Sequence, residues 1–175
     1  MAKSSKQQID KDEKKVLYEQ MKDSSQSINV ISSKLGFSRQ KVWRIIKKLQ
    51  KEKTVWGYTA VVNNERIGMK IFILLGKRNP RPIPMDMIDI VIKGKFEKLA
   101  KKNNCILDST FYLNGEYDFL SSFKAPNLKE AKKFQEEFNR IYEGYIEKTK
   151  ILEVLFPLRI NDTMNPEIEK LAELF

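Results

Sequence analysis

Over the first fifty residues apolar side chains recur every three or four positions, the spacing of amphipathic helices. After residue 69 they gather instead into short continuous or alternating runs of strand length. A polar stretch, MAKSSKQQ, opens the chain as a frayed start. Asp10 then stands as the cap of a first helix whose apolar positions are Ile9, Val16, Leu17 and Met21 and which ends near DSSQS at 23–27. Ser27 caps a second, short helix with Ile28, Ile31 and Leu35 at i, i+3 and i+7, and Gly36 supplies the left-handed turn after it. Ser38 caps a third, in which Val42, Ile45, Ile46 and Leu49 form a core-facing stripe while Gln40, Trp43, Arg44 and Lys47 repeat that spacing on the opposite side. TVWGYTAVV at 54–62 alternates enough to predict a strand or half of a hairpin, with Gly57 permitting a bend.

The remaining two thirds read differently. MKIFILLGKR at 69–78 is an apolar run of strand length, and NPRPIP after it is a proline-rich loop that excludes helix. Residues 86–102 predict a helix with Ile88, Ile92, Phe96 and Leu99 on one side, interrupted by Gly94. CILDSTFYL and EYDFLSSFK are two strands separated by Asn114-Gly115, a dipeptide that favours a type I′ hairpin turn. Asn127 begins a helix with Glu130 three residues on, and Ala131, Phe134, Phe138, Ile141 and Tyr142 make its apolar face. Gly144 closes it, and YIEKTKILEVLF is the last strand. The order βαββαβ is that of a ferredoxin-like sandwich, an α+β fold whose sheet is covered by helices on one face. The other face is left for association, and two subunits pairing sheet to sheet would cover it. In the tail at 161–175, Asn165 and Pro166 open a helix with Ile168, Leu171 and Ala172 on one face. Four acids against one lysine give that tail a sign opposite to the first third, and it is expected to pack on its own subunit or a neighbour.

Composition narrows the chemistry. The 175 residues are 41% hydrophobic and 32% charged, enough to bury a core in one domain or two small ones. Runs such as IFILL at 71–75 fall far short of the roughly 20 apolar residues that cross a bilayer, so no membrane association is expected and the cytoplasm is the expected location. Cys105 is the single cysteine and histidine is absent. Internal disulfides, the usual zinc and haem ligand sets and histidine-based acid–base or nucleophilic pairs are therefore excluded. No glycine spacing matches a nucleotide-binding loop. No catalytic residue, metal ligand or cofactor is assigned, and the chain is not expected to be an enzyme.

The charge is unevenly placed. Residues 1–69 hold 15 lysines and arginines against 7 acids, most of the net charge of +10. Between Ser38 and Lys53 there are seven basic residues and one acid, Glu52. Two helices joined by a short glycine-containing turn, the second basic and capped by serine, predict a helix-turn-helix whose second helix enters the DNA major groove. The candidate DNA-contacting residues are Ser38, Arg39, Gln40, Lys41, Trp43, Arg44, Lys47 and Lys48. Arginine pairs with guanine and glutamine with adenine at base edges, while lysine neutralises phosphate. Trp43, at the flank of the stripe, is suited either to packing on a neighbouring element or to DNA contact. A hairpin after the third helix would make the domain winged.

The run from Ser38 through Leu49 to Val55, Gly57, Tyr58, Thr59 and Ala60 resembles the Lrp/AsnC (feast/famine) transcriptional regulators, whose recognition helix leads into a GYTA strand and linker. NGEYDF at 114–119 is similar to the G-x-Y-D segment of their regulatory (RAM-type) domain. The resemblance spans about residues 9–156. It implies a winged helix-turn-helix domain at 1–56, a strand and linker at 57–68, a ferredoxin-like regulatory and dimerisation domain at 69–160, and an additional C-terminal helix at 161–175. It implies a sequence-specific DNA-binding regulator with double-stranded DNA as partner, acting as a homodimer or as a tetramer or octamer. Gly115, Tyr117 and Asp118 are the implied contacts to a small effector such as an amino acid. On the alternative reading Asn114 and Gly115 form a turn, Tyr117 packs and Asp118 bonds local backbone. Three departures stand out: Lys53 occupies a position usually held by glycine, Ile45 one that is often basic, and the last strand has only Thr149 where several relatives have two spaced threonines. Two other functions stay in view, a non-specific architectural nucleic-acid binder and a relative of the tetrapyrrole decarboxylases; the lack of histidine counts against the second.

Overall fold

The computed structural model describes residues 10–175, so the expected stripe position Ile9 and the polar start lie outside the described residues. The chain divides between Val61 and Val62 into two compact units. The first contains α1 (Lys11–Lys22), α2 (Ile28–Leu35) and α3 (Arg39–Lys51). Each starts at an expected cap. Asp10 accepts from the Asp12 and Glu13 amides while Glu13 reaches back to the Asp10 N–H, a complete capping box. Ser27 caps α2 through the Val30 N–H and Ser38 caps α3 through the Lys41 N–H. Gly36, at φ 64°, makes the turn between α2 and α3. Val16, Ile31, Val42, Ile45 and Leu49 form the buried core of the unit, with Leu17, Ile28, Leu35, Phe37, Ile46 and Val55 packed against it. Met21, placed on the stripe by periodicity, is exposed.

The expected wing is not formed. Residues 54–62 make neither strand nor hairpin, and the first unit has no strand among its described residues to pair with them. A lone strand leaves its backbone groups to water and gains no ladder.

The second unit holds β1 (Lys70–Arg78), α4 (Met85–Ile92), α5 (Lys95–Lys102), β2 (Ile106–Tyr112), β3 (Phe119–Ala125), α6 (Leu128–Ile141) and β4 (Ile146–Glu153). The strands form one antiparallel sheet in the order β2-β3-β1-β4, the ferredoxin-like arrangement. Alternation decides which side is core. Phe72 and Leu74 of β1 and Phe123 and Ala125 of β3 are buried with Phe96, Leu99, Ala131, Phe134, Phe138 and Tyr142 of the helical layer. Aromatic rings interlock there: Phe134 lies 4.9 Å from Phe123 and 5.3 Å from Phe96 between centroids. Asn127 caps α6 through the Glu130 N–H, as its spacing predicts.

Three expectations need correction. The helix expected over 86–102 is two helices, because Gly94 takes a left-handed φ of 64° and bends the chain. Ile92 is consequently exposed, while Met87 and Ile90 pack on the core with Phe96 and Leu99. Asn114 and Gly115 do not have the positive φ of a type I′ turn; they sit in a six-residue loop, 113–118, between β2 and β3. The tail is not an α-helix either. It forms a small hairpin, β5 (Arg159–Ile160) with β6 (Thr163–Met164), followed by a 3-10 helix at Ile168–Leu174, and Asn165 accepts from the Glu167 N–H rather than capping an α-helix.

Candidate nucleic-acid interface

The core side of α3 is anchored by Val42, Ile45 and Leu49, so its opposite side is turned outward. Ser38, Arg39, Gln40, Trp43, Arg44, Lys47 and Lys48 are exposed and Lys41 is half-buried. Trp43 keeps 51% of its surface accessible, so it is only partly packed. Arg39, Arg44, Lys47 and Lys51 have no ion-pair partner among the described residues, whereas Lys41 and Lys48 do. Lys41 Nζ lies 2.5 Å from Asp12 Oδ2, and Lys48 binds the carboxylate of Glu13. The hydrogen bond from Lys41 holds the Asp12 carboxyl below its usual range, and the bond to Glu13 raises the Lys48 ammonium. Two of the sequence candidates are thus tied to α1, and Lys51 joins the outward set.

Where α3 ends, Lys53 supplies the left-handed residue, at φ 57°. The Thr54 N–H donates to Leu49 O at 2.9 Å and the Lys53 N–H to Gln50 O at 3.1 Å, the two bonds of a Schellman turn. Beyond it Trp56 is 94% exposed. The Tyr58 hydroxyl meets Gln20 of α1 and Gln50 of α3 at 3.0 and 3.3 Å, fastening the segment to the unit.

In the second unit Gly115 is exposed and Tyr117 half-buried in the 113–118 loop. Asp118 is engaged by backbone: its carboxylate accepts from the Arg78 N–H at 2.8 Å, and its own N–H donates to Gly76 O at 3.0 Å. The hydroxyl of Thr149 accepts from Gln135 and donates to Asn139, both of α6, at 3.0 Å each.

The sheet face away from the helices carries Ile71, Ile73 and Leu75 of β1, opposite Lys124, Ser122 and Leu120 of β3. Leu152 of β4 lies opposite Ile73, and Phe111 of β2 opposite Leu120. Phe111, Leu152 and Ile106 are exposed. The Lys124–Asp108 ion pair sits at one end of this face.

A family model described as winged helix-turn-helix DNA-binding matches residues 10–55. The chain is similar to an uncharacterized HTH-type transcriptional regulator of Pyrococcus abyssi, 28% identical over 138 residues, 79% of this chain and 82% of that one. Its fold is similar to that of a transcriptional regulator from Neisseria meningitidis solved in complex with L-methionine, with TM-score 0.66, 16% identity, and 96% and 100% of the two chains covered. It is likewise similar to an AsnC family transcriptional regulator from Agrobacterium tumefaciens, with TM-score 0.62, 15% identity, and 87% and 94% covered. These likenesses support a DNA-binding transcription regulator: residues 10–55 match a helix-turn-helix DNA-binding domain whose three helices are formed and whose wing, among the described residues, is not, and the chain shares the two-domain fold of the solved regulators.

Proposed function

We propose that this DNA-binding regulator reads a specific duplex sequence through α3, as a homodimer or larger assembly in the cytoplasm. The carrying observation is the outward set Arg39, Gln40, Arg44, Lys47 and Lys51, unpaired among the described residues, on a helix whose other side is anchored in a core. Arg39, Gln40 and Arg44 read base edges, and Lys47 and Lys51 meet phosphate. Residues 1–56 are the reading domain, 57–68 the linker, 69–160 the pairing and regulatory domain, and 161–175 an appended segment. The open sheet face supports pairing, since Ile71, Ile73, Leu75, Leu120, Leu152 and Phe111 form an apolar surface that a second copy would cover. A two-fold pair sets two recognition helices on half-sites about 34 Å apart.

The 113–118 loop is the proposed effector site. The N. meningitidis regulator was solved with L-methionine, which makes an amino acid the ligand class to try first. Gly115 and Tyr117 remain available to a ligand; Asp118 would offer the carboxylate oxygen that does not hold the Arg78 amide. Selection from random duplex DNA tests the reading, and selected sites should be bound about 10³-fold or more tighter than random ones. Equal binding to both would make the chain an architectural binder instead.

A further inference from the structure

The two ion pairs between α1 and α3 are built differently. Glu13 is buried, with 6% of its side chain accessible, and its second carboxylate oxygen accepts from the Asp10 N–H at 3.1 Å. Removing Lys48 from it would strand a buried carboxylate, so this pair is a strut between the helices. Lys41 and Asp12 instead keep 39% and 38% of their side chains accessible, and nothing else among the described residues depends on their contact. Lys41 also lies in the first turn of α3, its own N–H bonded to the Ser38 cap, at the end of a recognition helix that approaches the bases. The ring of Phe37, 4.1 Å from the same ammonium, keeps it near that turn whichever anion it faces.

On the reading of α3 as the DNA-facing helix, we infer that Asp12 competes with the DNA backbone for the Lys41 ammonium and thereby sets the affinity of the domain. In the free protein the ammonium is held by Asp12. On the duplex it transfers to a phosphate oxygen, and Asp12 is left solvated beside the polyanion. The lost pair and the added repulsion both oppose binding. Lys48 stays on Glu13 throughout.

The test is a double-mutant cycle read by duplex affinity at about 100 mM salt on one selected site. Asp12→Asn should tighten binding about two- to fivefold, the scale of an exposed ion pair. Lys41→Gln should weaken it, and in the Lys41→Gln background most of the Asp12→Asn gain should vanish. Circular dichroism checks that α1 survives the loss of an acid from its first turn, and Asp12→Ser repeats the comparison if the asparagine variant folds poorly. An unchanged affinity for Asp12→Asn overturns the inference. So does an equal gain in both backgrounds, which would make Asp12 a general repulsive charge. A wild-type chain that binds no duplex removes the DNA reading itself, and with it this inference.

Discussion

Replacing Lys53 by glycine should stabilise the helix-turn-helix unit, even though it removes a side chain and adds no contact. Lys53 holds φ 57° because the Schellman turn closing α3 requires a left-handed residue there. That conformation costs a residue with a β-carbon about 1–2 kcal/mol. Glycine relieves the strain but loses about 0.4–1 kcal/mol through its freer unfolded chain. At the middle of those ranges the net gain is about 0.8 kcal/mol, which for a unit of this size raises the unfolding midpoint by roughly 3–6 °C. Both tryptophans, Trp43 and Trp56, lie in the first unit, so tryptophan fluorescence follows its unfolding selectively. Lys53→Ala is the control: it removes the charge and keeps the β-carbon, and should give no comparable rise. A midpoint unmoved by glycine, or raised equally by alanine, would refute the assignment of strain to this backbone.

Other consequences follow from the cores and the charges. Phe134→Ala, at the centre of the aromatic cluster and fully buried, should destabilise the second unit by about 3–5 kcal/mol in urea unfolding. Cys105 is buried, its thiol pushed up to about 11 by burial and then by the charge of Glu130, so a thiol reagent at pH 8 should leave the native protein unmodified and label it once unfolded. The carboxyls of Asp12, Glu19 and Asp23 are held low by hydrogen bonds from Lys41, Lys22 and Ser25. Depressed carboxyls stabilise fully above about pH 5 and lose that contribution as pH falls through their folded values, so the first unit should weaken below about pH 4, less so at high salt. Leu75→Lys, on the open sheet face, should shift the sedimentation mass toward monomer while the second unit stays folded.

The three helices of the first unit were legible because their determinants are local: Asp10, Ser27 and Ser38 cap within three residues, and Gly36 turns the chain on the spot. The βαββαβ order was legible for the same reason, since runs of alternating or apolar residues mark strands without knowledge of their partners. What escaped depends on distant residues. The 113–118 loop is shaped by β1, through Gly76 and the Arg78 amide, so the Asn-Gly pair did not decide its turn. The 54–62 segment alternates like a strand, yet the described residues of its own unit offer it no partner strand. At the interface, the stripe Arg39, Gln40, Arg44 and Lys47 follows from helical periodicity. The pairing of Lys41 and Lys48 joins residues 29 and 35 positions apart and has no sequence signature.

The most direct test is duplex affinity as a function of salt, measured for the wild-type chain and for Arg44→Glu. Lys47, Lys51 and the Lys41 that the duplex draws away from Asp12, doubled in a two-fold pair, give about six phosphate contacts, within the roughly 6–10 for which affinity falls about 10³- to 10⁵-fold between 50 and 200 mM salt. The account predicts that steep fall, and loss of binding in Arg44→Glu with the fold and assembly retained. A flat salt dependence, or Arg44→Glu binding as the wild type does, would contradict it.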